Sequence, residues 1–238
     1  GRDADADGDR DRTGFGIEGA RGDGAAQSLG APQSHVAIMP RQHHGEFLAA
    51  ITGDDHAVLG ETALQQAPEH AHVYNGGLWI NAGAADLTNV TIAGNVATGS
   101  NGGGVWLGNA PTGTMRNCTI ADNHATADGQ VAGAIFGAGL TLVNTIVAGN
   151  SAMYRPSCDG ARADGAGNLQ WPDGALCTTG PLVADPLLGA LSDNGGPTAT
   201  MAPAASSPAV DLGTGCPPTD QRGQPRGEPC TAGAVEAP

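Results

Sequence analysis

Three seven-residue blocks decide the fold: Asn89-Val-Thr-Ile-Ala-Gly-Asn95, Asn117-Cys-Thr-Ile-Ala-Asp-Asn123 and Asn144-Thr-Ile-Val-Ala-Gly-Asn150. They align without gaps, and the first Asn recurs after 28 residues and then after 27. A second motif repeats in step upstream of each block: Gly76-Gly-Leu-Trp-Ile80, Gly103-Gly-Val-Trp-Leu107 and Gly133-Ala-Ile-Phe136. A fixed period in the twenties is the mark of a solenoid, in which each repeat buries its apolar face only against the next. The segments are short, β-branched and bounded by Gly and Asn, so they read as strands. No stretch keeps a helical period over ten or more residues. The sequence therefore predicts an all-β chain, a right-handed parallel β-helix with a disulfide-stapled C-terminal cap.

Alternation within each block assigns the faces. Val90 with Ile92, Cys118 with Ile120, and Thr145 with Val147 are expected to stack inside, leaving Thr91, Thr119 and Ile146 outside. Asn tolerates left-handed turns and bonds nearby backbone, and stacked Asn side chains can bond each other. Asn89, Asn117 and Asn144, and likewise Asn95, Asn123 and Asn150, are thus expected to form structural ladders at the corners. The paired glycines read as turns that need positive φ. Gly102-Gly-Gly104 leads into no helix, which leaves a phosphate-cradling loop without support. Trp79, Trp106 and Phe136 hold equivalent positions. They stack in the core or coil upon coil, or they lie outside as a platform for sugars.

The tail carries a more specific signal. Asp185-Pro-Leu-Leu-Gly-Ala-Leu-Ser-Asp-Asn-Gly-Gly-Pro-Thr198, Ser207-Pro-Ala-Val-Asp-Leu-Gly213, Thr219-Asp-Gln-Arg-Gly223 and Cys230-Thr-Ala-Gly-Ala-Val-Glu236 follow one another. With the repeats, these blocks resemble the choice-of-anchor Q domain of bacterial surface proteins over roughly residues 73–237. The resemblance implies a secreted or surface-attached β-helix with no single chemistry attached to it. Asp220 and Arg222 fall inside the tail motif and read as structural.

Three regions follow: an N-terminal segment over 1–72, the coils over 73–152, and the disulfide-containing loop and cap over 153–238. The first region, rich in Ala, Gly and His, is either a set of degenerate early coils, an N-terminal cap or an unfolded stretch. Its histidines at 35, 43, 44, 56, 70 and 72 lack a third ligand at metal spacing and read as surface residues. Its first residues carry Asp3, Asp5, Asp7, Asp9 and Asp11 around Gly8. Alternate carboxylates on a tight loop gather hard oxygen ligands for calcium. The run resembles a thrombospondin type 3 repeat and half an EF-hand loop, although Gly14 stands where the bidentate Glu belongs. A solvated acidic tail is the plainer reading.

Five cysteines remain. Cys118 shares the inward phase of Val90 and reads as a small buried hydrophobe. Cys158 with Cys177, and Cys216 with Cys230, enclose Gly- and Pro-rich loops without Cys-x-x-Cys spacing, which favours two disulfides and an oxidising compartment over zinc. The net charge of −14, with ten basic residues that are all Arg, argues against nucleic acid or an anionic membrane as partner. No run of apolar residues is long enough to span a bilayer. The visible coils stack no pair of carboxylates outward, as a lyase or glycosidase on such a scaffold would need. The reading is a non-catalytic extracellular or cell-surface module, scaffold or adhesin-like, whose partner is a glycan or a protein. Two alternatives stay open: a polysaccharide-active enzyme, or the C-terminal fragment of one, and a calcium-binding surface module.

Overall fold

A computed structural model describes residues 77–238, together with the backbone of four strands upstream. Asp3, Asp5, Asp7, Asp9 and Asp11, and the side chains of the six N-terminal histidines, lie outside the described residues. Among the described residues there is no helix. The described residues form a parallel β-helix of four sheets, and three full coils each contribute one strand to every sheet.

The first sheet stacks Ala49–Ile51, Leu78–Ile80, Val105–Leu107 and Ile135–Phe136, with Val36–Ile38 antiparallel at its edge. The second stacks His56–Gly60, Ala84–Thr88, Thr112–Arg116, Thr141–Val143 and Ala163–Asp164. The third runs Ala63–Gln65, Thr91–Ala93, Thr119–Ala121, Ile146–Ala148, Leu169–Trp171 and Leu182–Val183. The fourth holds Val96–Ala97, His124–Ala125 and Ser151–Ala152. The upstream strands join in register, Ala49 opposite Leu78, His56 opposite Ala84 and Ala63 opposite Thr91, so the backbone continues where no Asn block marks it.

The repeat blocks occupy the third sheet in matching register, Thr91, Thr119 and Ile146 side by side. Val90, Ile92, Cys118, Ile120 and Val147 face inward and meet Leu78, Leu87, Val105, Met115 and Leu142 in one core. Thr145 also points in, and its hydroxyl donates to the carbonyls of Met115 and Val143, both at 3.0 Å, so the buried oxygen is satisfied. Cys118 is fully buried and unpaired, and burial pushes its thiol up to about 12. It is an inert packing group.

The two Asn ladders do different work. Asn89, Asn117 and Asn144 turn the corner between the second and third sheets in the left-handed conformation, with φ of 55°, 49° and 48°. Asn tolerates this region better than other residues with a Cβ. Asn95, Asn123 and Asn150 bond each other across coils. The Asn95 amide donates to Asn123 Oδ1 at 2.8 Å, and the Asn123 amide to Asn150 Oδ1 at 2.9 Å. Each acceptor also takes the backbone N–H of the Asn one coil earlier, at 3.1 and 3.0 Å.

Close packing, against the second ladder at Gly77 and Gly104 and against backbone at Gly103, explains these glycines, and the reason differs from the expected one. Gly77, Gly103 and Gly104 are not left-handed; in the triplet only Gly102 has a positive φ. They are glycines because a Cβ would collide. At Gly77 it would sit 2.6 Å from the Asn95 amide nitrogen, and at Gly104 2.8 Å from the Ala134 carbonyl oxygen and 3.0 Å from the Asn123 amide nitrogen.

A second difference concerns the outer face of the third sheet. Thr91, Thr119 and Ile146 alternate outward as expected, yet all three are buried, none more than 1% exposed. The C-terminal segment covers them. Leu188 and Leu212 pack on a cluster of Ile146, Ala148, Leu169, Ala209 and Ala232, and Met201 packs on Ala93 and Ala121. Further along, Thr91 donates to Gln221 Oε1 at 2.6 Å, and the Ala234 N–H donates to the Thr119 hydroxyl at 3.0 Å. The cap is stapled by Cys216–Cys230, but it lies along the flank of the solenoid; the last strand, Leu182–Val183, keeps exposed side chains at the sheet edge.

Inside this roof the charged residues of the tail are structural. Arg226, with its side chain 1% exposed, donates to Asn89 Oδ1 at 3.0 Å, to the Gly233 carbonyl at 2.8 Å and to Glu236 at 3.2 Å. Burial disfavours the charged form of Asp220. Hydrogen bonds from Arg222 and from the backbone N–H groups of Glu236, Arg222 and Gln224 outweigh that cost and hold its carboxyl below the usual range.

Candidate functional site: a row of rings on the first sheet

Among the described residues nothing comparable roofs the outer face of the first sheet. In Leu78–Ile80 and Val105–Leu107 the flanking residues are buried and the central Trp is half-exposed; in Ile135–Phe136 the same alternation leaves Phe136 outside. Trp79 stands opposite Trp106, and Trp106 opposite Phe136. Their ring centroids are 5.7 and 6.4 Å apart, with planes inclined by 34° and 25°. Neighbouring strands are roughly 4.8 Å apart, so one ring per coil yields a continuous aromatic row along the solenoid axis. The rings thus stack coil upon coil and lie outside the core, which unites two of the arrangements the sequence left open.

The row is set on a shaped base. The six-membered ring of Trp106 lies over Gly108, where a Cβ would come within 2.4 Å of it. Beside the rings the Asn109 amide donates to Asn81 Oδ1 at 3.3 Å, linking two coils at the surface. The next position in the row is Asp159, because Ile135 bridges to Cys158 in parallel register. Its carboxylate is fixed from two sides. Oδ2 accepts the Gly137 N–H at 3.1 Å, and Oδ1 accepts from Arg162 Nη2 at 2.6 Å. Arg162 is buried and also donates to the carbonyls of Ile135, Gly137 and Gly160. Burial lowers the pKa of its guanidinium, against the stabilising pull of Asp159. The disulfide Cys158–Cys177 anchors the loop that places these groups.

Sequence reasoning names the three rings but not Asp159, Asn81 or Asn109 as their companions. The signal for Asp159 was present: Pro156-Ser-Cys-Asp159 is a fourth, degenerate copy of the Gly-x-x-aromatic motif, in register with Gly133-Ala-Ile-Phe136. The two amides sit just past the strands, where no repeat marks them.

A second cluster lies at the corner between the third and fourth sheets. Asp122 is left-handed, with φ of 53°, at the position that Gly94 and Gly149 fill in the adjacent coils. It lines a shallow groove with Trp171, Asp185, Leu188 and Met201. Burial raises its carboxyl above the usual value, with His124 pulling the other way. His124 Nδ1 lies 2.6 Å from the Ser151 hydroxyl of the next coil. Both Asn ladders are buried and engaged in structure. Among the described residues no three His, Cys, Asp or Glu side chains converge as metal ligands.

Among the described residues no helix is long and apolar enough to cross a membrane, and the two disulfides are consistent with an extracellular location. No family model matches the chain, and neither do any curated protein or solved structure.

Proposed function

We propose that this chain is a non-catalytic extracellular or cell-surface β-helix module that acts as a scaffold or adhesin-like element. One observation carries the reading. The solenoid's outward polar residues on the third sheet are spent on holding the tail, while the first sheet presents a rigid aromatic row to the outside. A stiff rod with one sealed face and one presented face suits a binding or spacing role. The likeness of the tail to the choice-of-anchor Q domain supports attachment to a surface. Incubation with neutral and acidic polysaccharides, with and without calcium, tests the proposal. New reducing ends and the ultraviolet absorbance of unsaturated uronates are the readouts, and no turnover is expected.

The enzyme reading keeps one specific support, the groove where Asp122 has a raised carboxyl pKa and Asp185 lines the same wall. Turnover that disappears in Asp122→Asn would replace the scaffold proposal with that one. The calcium reading rests on Asp3, Asp5, Asp7, Asp9 and Asp11. Calorimetric titration with calcium decides it, through binding heat that Asp3→Ala with Asp5→Ala removes.

A further inference from the structure

We infer that the row Trp79–Trp106–Phe136 is the binding site of this module and that its ligand is a neutral, linear polysaccharide lying along the solenoid axis. The inference rests on the module reading above and names its partner. A sugar ring has an apolar face of C–H groups and a polar rim of hydroxyls. A site for it needs a flat aromatic surface with hydrogen-bonding groups at its side, and the row supplies both. The rings repeat once per coil along a single line, so a chain polymer engages several in succession. The Trp106 indole rests on Gly108 and is held between Trp79 and Phe136, so little side-chain freedom is lost when a ligand binds. At the flank, Asn81 and Asn109 offer amide donors and acceptors, and at the end of the row the fixed Asp159 carboxylate is an acceptor for hydroxyl groups.

Two alternatives fit less well. A polyanionic glycan would meet a chain of net charge −14 and a carboxylate at the end of the row. A protein partner would need a broad apolar patch, but this row is one side chain wide and is flanked by Gly, Asn and Asp.

The test is a titration of the intact chain with cello-, xylo-, manno- and laminarihexaose, followed by intrinsic tryptophan fluorescence and by calorimetry. Polygalacturonate serves as the anionic control. Saturable binding of at least one neutral oligosaccharide is expected, with none for polygalacturonate. Trp106→Ala and Trp79→Ala should each weaken binding at least tenfold, and Asn109→Ala a few-fold. Trp171→Ala, in the groove on the other side, should leave binding unchanged. Circular dichroism and thermal unfolding verify that each variant is folded, and Trp106→Phe, which keeps a ring, should retain most of the affinity. The inference fails if the folded chain binds none of the neutral probes, if it prefers polygalacturonate, or if affinity survives both Trp→Ala changes in the row. Loss of binding on Trp171→Ala would place the site in the groove and also overturn it. Turnover of a bound probe is a separate outcome. It would remove the non-catalytic reading while leaving the location of the site to the variants.

Discussion

The first and third sheets are built from the same repeat and obey the same alternation, yet their outer faces have opposite fates. Outward Thr91, Thr119 and Ile146 are sealed beneath the tail, while outward Trp79, Trp106 and Phe136 remain half-exposed. The difference is not local. Period-2 alternation decides which residues leave the core, but a segment distant in sequence decides whether they then meet water. It also inverts a common expectation, since the small polar side chains are the buried ones and the large rings are the presented ones. The chain can bury Thr91 and Thr119 because the roof brings a partner for each hydroxyl.

If this contrast is sound, damage to the roof should cost far more stability than damage to the row. The largest effect is expected for Arg226→Leu. It strips the partly buried Glu236 and the buried Asn89 of their partner, a loss of about 3 kcal/mol by analogy with broken buried ion pairs, measured by guanidinium unfolding. A loss below about 1 kcal/mol, the range of exposed pairs, would mean the roof is only loosely seated. Next is the double change Cys216→Ala with Cys230→Ala, expected to cost about 3 kcal/mol because a short loop is no longer closed in the unfolded chain. Asn123→Ala breaks the second ladder in its middle and should cost about 1–3 kcal/mol, because the buried Ile92 carbonyl, the Asn95 amide and N–H, and Asn150 Oδ1 each lose a hydrogen bond.

Acid should act on the roof through Asp220. Its carboxyl is held below the usual range in the folded chain, so its contribution is present above the unfolded pKa, about 3.9, and is lost as pH falls through the lower folded value. Asp220→Asn should therefore flatten the acid limb of the stability profile, and an unchanged limb would assign it to other carboxylates. The smallest effect belongs to Trp106→Ala. A half-exposed ring outside the core should cost roughly 0.5–1 kcal/mol, and a markedly larger loss would make the row structural and weaken its reading as a site.

Much of this arrangement was legible in the sequence. The period, the inward set headed by Val90, Ile92 and Ile120, the left-handed corner at Asn89, Asn117 and Asn144, and both cysteine pairs follow from spacing and residue type. What stayed hidden depends on contacts between distant parts. The paired glycines read as conformational, yet Gly77 and Gly104 are excluded-volume residues, and only the position of the Asn ladder reveals it. The tail reads as a C-terminal cap, and only the structure shows its Gln221 and Arg226 reaching back along the flank to the coil of Leu78–Ala97. In the row, the rings announce themselves by repetition. Asp159 does not, because in its coil the motif survives only as Pro156-Ser157-Cys158-Asp159.

The course of the tail has a consequence for how the molecule comes apart. In an open stack each coil touches only its neighbours, so stability is a sum of local terms and the ends can unravel one coil at a time. Here the bonds from Asn89 to Thr219 and from Thr91 to Gln221 join residues 130 apart in sequence. They tie the coil of Leu78–Ala97 to the tail, and no coil beneath the tail can open without lifting it. A one-dimensional array thereby becomes a single cooperative unit, and the described coils should melt together as one transition.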